Sequence, residues 1–417
     1  MVERSTRLVK ILLLALAGIY LLNCLSPIRL HVDTLRYFAI KDCIELGCPP
    51  DSEAARDYFP YGYTALLLIL SKLHLLHSAV IILFNCAYLF GGIWLAGKLF
   101  GQARVPYMAA LLVLLNWTVI KFVTHPLSEM QYLFFSTASL YFFYRYTQER
   151  KVIALLGSFA CGGLAFLTRS VGLALVAGLV VALLWQYRRE LILIIRRNKI
   201  LAGLLLLVIV GVIVFSRQLG LDHYAGVFNK QFEKGVTFPT ILKWHFTEWS
   251  EIAFNTSIVK LLPYFPASVA RLLYLVMGVL LFAGFVFLLF LRRKSVPFVV
   301  SAYLLFYILL LFEWPFYDPR FWVPVLPLMA GVIFSGPFPV RKLARGLLSV
   351  FCAVYIILGL VSVGYMTYTS LNREVMARTQ ANGVYRNEYE TYFFGRPLSD
   401  TATKVDPVTL SVIRRYH

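Results

Sequence analysis

Long apolar runs recur along this 417-residue chain, each closed by a short basic cluster, and this alternation constrains the fold more than any motif. A helix needs about 20 apolar residues to cross a bilayer. Spans of that length are predicted at residues 8–26, 78–97, 105–123, 128–145, 152–168, 171–187, 199–216, 271–291, 296–313, 321–338 and 346–368. The expected fold class is therefore an all-α integral membrane protein with about eleven transmembrane helices. Thr64 to His77, "TALLLILSKLHLLH", has too short an apolar core to span and is broken by Lys72, His74 and His77. It is predicted to lie as a helix in the interface.

Composition agrees. Hydrophobic residues make up 59% of the chain and charged residues 15%, with a mean hydropathy of +0.73; soluble domains carry about 25% charged residues. The net charge of +19 would suit a nucleic-acid partner. Because the cations sit in short clusters between apolar runs, they act instead as topology signals, and no nucleic acid is expected. The first run lacks a small-residue cleavage site and more spans follow, so it is read as a retained helix rather than a signal peptide.

The clusters set the orientation. With the amino terminus inside, the cytoplasmic segments are the start of the chain, "KLFGQAR", "RYTQERK", "QYRRELILIIRRNK", "LRRKS" and "VRKLAR", all basic. The short outward turns hold one cation each: Lys121, Arg169 and Arg320. A further span at 64–77 would turn every later cluster outward, against the positive-inside bias. The carboxy terminus then lies outside. The expected organisation is a membrane domain over 1–368, with outer loops at 27–77 and 217–270, and a short outer tail over 369–417. Interfacial helices are expected in the first loop. The predicted location is the cell (inner) membrane, with the site on the periplasmic or extracellular side.

Four of the six cysteines lie in or beside spans, where a thiol is usually an apolar filler. Cys43 and Cys48 share the first outer loop; in an oxidising compartment they could close a disulfide, or both could stay free. No His/Cys spacing suggests zinc.

Chemistry gathers at the outer face. In "HVDTLRYFAIKD", Asp33 follows the first span, with Arg36 and Tyr37 three and four residues on, on the same helix face. Asp33 is either a solvated or helix-capping acid, or a base that takes a proton from a hydroxyl nucleophile. Arg36 has the planar fork that clamps a phosphate. Glu129, in "HPLSEMQYLFF", opens the fourth span. It is either a favourable acid at a helix amino terminus or a functional ionisable group at the mouth of the bundle. Arg169, in "FLTRSVGL", and Arg320, beside Tyr317 and Asp318 in "EWPFYDPRFWVPVLPL", face the same side, as interface anchors or partners to nearby acids. Together these residues suggest an anionic, lipid-linked substrate.

The ordered set of "DTLRY", "YFPYGYTALL", "LSEMQYLFF", "LTRSVGL" and "DPRFWVPVLPL", over roughly residues 8–338, resembles the polytopic glycosyltransferases of the C superfamily (GT-C fold). Lipid A aminoarabinose transferases and protein O-mannosyltransferases are among its members. The resemblance implies transfer of a sugar, with inversion, from a polyprenyl-phosphate donor to a hydroxyl on a glycan, lipid or protein acceptor. It implies Asp33 as catalytic base, Glu129 as a second acid, and Arg36 and Arg320 as phosphate contacts. His31, Tyr37, Tyr61, His125, Arg169, Tyr317 and Asp318 are further candidate substrate contacts. Relatives using monophosphate donors need no metal, so none is expected. Two departures stand out: Thr34 follows Asp33 where many members have Asp-Glu, and a short tail stands where several carry a large soluble domain.

Two other classes compete. A polysaccharide polymerase or ligase of related architecture would lean on Arg169 and Arg320 and tolerate loss of Asp33. A secondary transporter would show repeats and polar groups near the midplane, whereas these spans are apolar in their middles.

Overall fold

The computed structural model describes residues 2–101, 105–190, 222–336, 342–398 and 404–417. The predicted span at 199–216 lies outside the described residues. The architecture is all-α, with no strand among the described residues. The helices of the amino-terminal half are α1 (Val2–Leu22), α2 (Val32–Leu46), α3 (Tyr61–Lys72), α4 (Ser78–Leu99), α5 (Val105–Leu114), α6 (Trp117–Val123), α7 (Glu129–Glu149), α8 (Val152–Thr168) and α9 (Gly172–Gln186). After them come α10 (Asp222–Glu233), α11 (Phe238–Ala253), α12 (Ala267–Leu291), α13 (Phe298–Glu313), α14 (Leu326–Phe334) and α15 (Lys342–Leu371). The tail forms α16 (Arg373–Thr379), α17 (Arg386–Phe394) and α18 (Pro407–Tyr416).

By length and composition, α4, α12 and residues Leu348–Leu371 of α15 can each cross a membrane, while α8, α9 and α13 are apolar but shorter. Phe287 and Phe290 on α12 and Ile357 and Val361 on α15 are more than half exposed, as lipid-facing side chains are. The chain is a multi-pass membrane protein.

Two predicted spans take a different form. Residues 105–123 are two helices, α5 and α6, bent by 70°. Asn116 causes the break: its side chain accepts the Thr118 N–H, capping α6, and donates to Ile252 O at 3.1 Å and Tyr355 Oη at 3.0 Å. A buried polar cap is better satisfied here than a continuous ladder would be. Residues 321–338 begin as a 3₁₀ segment, Pro319–Val325, before the nine-residue α14. Pro324 and Pro327 supply no N–H, which keeps this segment from being one long α-helix.

The core centres on α7, which packs between α4 and α8, while α9 packs on α13 and α11 on α12. Close approach needs glycine in two places. A Cβ on Gly62 of α3 would meet the Leu167 carbonyl at 2.6 Å, and one on Gly278 of α12 would meet the Phe246 carbonyl at 1.8 Å. Cys43 and Cys48 are bonded at the end of α2, where Gly47 turns the chain at φ +80°. The tail folds back on the first loop: Tyr389 donates to Ile28 O at 2.6 Å and accepts the Leu30 N–H at 3.0 Å. In α18, Tyr416 stacks on Phe38 of α2 with ring centroids 4.4 Å apart.

Candidate active site

The start of α2 places the first acid. His31 is its cap: Nδ1 accepts the Asp33 N–H at 3.2 Å, which puts Asp33 in the first turn. The next residues tie α2 to the entry of α7. Thr34 donates to Pro126 O at 3.3 Å, and Tyr37 donates to Ser128 Oγ at 2.8 Å. Ser128 precedes Glu129, the first residue of α7, where a carboxylate suits the helix dipole.

Two arginines converge on these acids. Arg169, in extended backbone between α8 and α9, donates to Ser128 Oγ at 3.2 Å and pairs with Glu129 at 2.6 Å. Arg320 reaches Asp318 at 2.8 Å and Glu129 at 3.6 Å, and its Nη2 donates to Asp33. Both guanidiniums also lie over the Phe321 ring, at 5.7 and 5.1 Å. Two positive groups thus face three carboxylates in a site where Glu129 is 1% and Arg320 6% exposed. Three carboxylates against two guanidiniums leave the cluster with an excess negative charge, so an anionic ligand must displace a carboxylate to reach Arg320.

The titrating groups follow from this geometry. Burial pushes the Asp33 carboxyl up, but Arg320, His31 and Arg36 outweigh it and hold the pKa below its ordinary value. Burial, helped by Arg320, pulls His31 down, keeping it neutral as a cap whose Nδ1 accepts.

A buried scaffold holds the Arg320 turn from behind. Glu248 on α11 accepts the Asp318 N–H at 2.7 Å and the Trp322 indole N–H at 2.8 Å. It also meets His245 Nδ1 at 2.8 Å, while His245 Nε2 meets Trp314 O at 2.8 Å. His245 faces an oxygen at each ring nitrogen, so the His245–Glu248 pair shares a proton whichever partner carries it. Burial raises the Glu248 pKa, and His245 opposes the rise. Neither residue was among the expected site residues; the aromatic-rich "KWHFTEWSE" was their signal.

The other expected residues divide. Arg36 stands next to Asp33, 4.0 Å away, but its Nε and Nη2 both donate to Asp57 at 2.8 Å and its plane lies over Phe59 at 3.7 Å. Its fork is filled by the loop that it closes. Tyr37 reaches the cluster through Ser128. Tyr61 opens α3 with an exposed side chain, and Tyr317, 38% exposed, sits against Glu251. His125 is buried between Lys121 O, 2.9 Å from Nδ1, and Gln380 Nε2, 3.1 Å from Nε2. His125 and His31 line a cavity of about 720 Å³ between α6, α15 and the tail, so His31 divides that cavity from the acid–arginine cluster. Among the described residues no three His, Cys, Asp or Glu side chains are grouped to hold a metal ion.

No family model and no curated protein matches the chain. Among solved structures it is similar to the crystal structure of ArnT from Cupriavidus metallidurans bound to undecaprenyl phosphate. The sequence identity is 16% and the TM-score 0.48, with 92% of this chain and 68% of that one covered.

Proposed function

We propose that this chain is an inverting membrane glycosyltransferase that moves a sugar from a polyprenyl-phosphate donor to a hydroxyl acceptor at the outer membrane face. The observation that supports this reading best is the ion pair between Arg320 and Asp33 beside a large cavity. A leaving phosphate needs fixed positive charge as the glycosidic bond breaks, and a hydroxyl nucleophile needs a base. In this reading the donor phosphate takes Arg320, with Arg169 behind it, and Asp33 gives up its partner. Freed from the guanidinium that depresses its pKa, Asp33 becomes the stronger base. The acceptor oxygen then attacks the anomeric carbon opposite the phosphate; its proton goes to Asp33, and the sugar–phosphate bond breaks with its electron pair on the phosphate oxygen. Glu129 holds both arginines and is a positioning residue. With its fork on Asp57, Arg36 acts by fixing the loop that carries Asp33, so the phosphate role passes to Arg320 and Arg169. No metal is required in this scheme.

The test is to supply the purified protein with polyprenyl-phosphate sugars and to determine the anomeric configuration of the product by NMR. The reading expects inversion, and loss of donor binding in R320A. A retained configuration would overturn it. The same Arg320 geometry gives a polymerase or ligase its arginine-centred site; that reading predicts wild-type turnover in D33N and none in R169A or R320A.

A further inference from the structure

The cavity behind His31 carries a charge pattern that the proposed transfer does not use. Among the described residues none that lines it is acidic, yet Arg29, Lys121, Lys260 and Arg378 all line it. Arg378 alone among the four has a carboxylate, Glu374, within ion-pair distance among the described residues. Lys121 rests over Trp117 at 5.6 Å and Phe122 at 4.9 Å, and Lys260 over Tyr365 at 5.7 Å. Aromatic faces orient an ammonium but do not cancel its charge.

Arg29 is the telling residue. It is 1% exposed, and among the described residues its hydrogen-bond partners are all neutral: Ser26 Oγ at 3.2 Å, Met366 O at 3.2 Å and Ser370 Oγ at 2.8 Å. Burial pulls its guanidinium down to about 10, so it stays charged at neutral pH. A buried charge is costly unless a counter-charge meets it. Among the described residues no carboxylate does so, and Arg29 lines the wall of a cavity whose described lining holds no acid. The neighbouring cluster is the opposite case, with its arginines already paired to Asp33, Glu129 and Asp318.

We infer that this cavity is a second anion site, built for a phosphate-class group on a substrate head group, with Arg29, Lys121 and Lys260 as its cationic contacts. Phosphate fits because several oxygens can meet guanidinium and ammonium donors approaching from different walls. Tyr385 in the same wall is an aromatic side chain of the kind that packs against a sugar ring attached to that phosphate. His31 lines the cavity and its Nδ1 lies 3.4 Å from Arg320 Nη1, which places the second anion next to the reacting groups. The inference rests on the transferase reading only in its choice of source: a phosphate on the acceptor, or the phosphate of the polyprenyl lipid.

The experiment is equilibrium binding to the full chain in nanodiscs of neutral lipid, with inorganic pyrophosphate as one probe and undecaprenyl phosphate as the other. Pyrophosphate is expected to bind, to weaken about tenfold in K121Q and in K260Q, and to be unchanged in R320Q. No binding, binding indifferent to both lysines, or equal loss in R320Q would overturn the second site; the last result would mean one shared anion site. Should pyrophosphate behave as expected, undecaprenyl phosphate identifies the source. Weakening in R320Q alone makes the acceptor the bearer of the second phosphate. Weakening in K121Q and K260Q alone puts the lipid phosphate in the cavity, and then the placement of the donor on Arg320 fails while the second site stands. A chain that does not fold in one lysine variant is replaced by its arginine counterpart, K121R or K260R, which must retain pyrophosphate binding.

Discussion

Replacing Glu129 by glutamine removes one charge from between two arginines and almost no volume. Its carboxylate is 2.6 Å from Arg169 and 3.6 Å from Arg320, and the residue is 1% exposed. Breaking one side of a buried ion pair costs about 3–5 kcal/mol, because the other charge stays buried and unpaired. Arg320 keeps Asp33 and Asp318, so the loss falls mainly on Arg169, and about 3 kcal/mol is expected. The readout is denaturant and thermal unfolding of the purified chain in nanodiscs, with a double-mutant cycle through R169Q. Since each single change strands a charge that the double change removes, the coupling should be about 1–3 kcal/mol, with E129Q/R169Q more stable than additivity allows. A loss below about 0.5 kcal/mol in E129Q, or strict additivity, would refute the view that Glu129 holds Arg169 through charge.

Other consequences follow from the same contacts. Y389F should cost about 1–3 kcal/mol in unfolding, since it leaves the Ile28 carbonyl and the Leu30 N–H, both buried, without their partner; an unchanged Tm would detach the tail from the site. The Asp33 pKa is lowered in the folded chain, so the stability its ion pair contributes is fully present above the ordinary value of 3.8 and lost as pH falls through the folded value. The Tm difference between wild type and D33N should therefore be flat from pH 7 to 8, above the range in which the neighbouring His31 titrates, and a slope there would contradict the assignment. The His31 pKa is also lowered, so its contribution is complete above its ordinary value of 6.5 and declines as pH falls towards the folded value. H31N should remove that decline, as read from Tm against pH. E248Q should lower donor affinity, because Glu248 holds the turn that carries Arg320, the proposed phosphate contact; unchanged donor affinity would sink that role.

Charge was the legible part of this site. In so apolar a sequence Asp33, Glu129, Arg169 and Arg320 stand out, and their position at one end of successive apolar runs puts them on one face of the membrane. Who pairs with whom was not legible. Arg169 and Glu129 lie 40 positions apart and Arg320 and Asp33 lie 287 apart, so packing alone decides their pairing. Arg36, the nearest cation to Asp33 in sequence, belongs instead to Asp57, because the first loop folds back over α2. The break at Asn116 escaped the span count because hydropathy averages over a single polar residue, whereas the cap depends on Ile252 and Tyr355 far along the chain. The cationic cavity escaped for the same reason. Arg29, Lys121 and Lys260 read singly as ordinary cations, and only the fold shows that they line one cavity with no acid among its described lining residues.

The central claim is that Asp33 is a base held in reserve by Arg320 and released when donor phosphate arrives. D33N, assayed for both donor affinity and turnover with the polyprenyl-phosphate sugar that the wild-type chain consumes, tests it most directly. Asparagine keeps the shape but gives up the charge that competes for Arg320, so donor should bind as tightly as in wild type or a few-fold tighter. Turnover should fall by about 10²–10⁴-fold, the usual contribution of a positioned base. Wild-type turnover in D33N, or donor affinity lost together with turnover, would contradict the account.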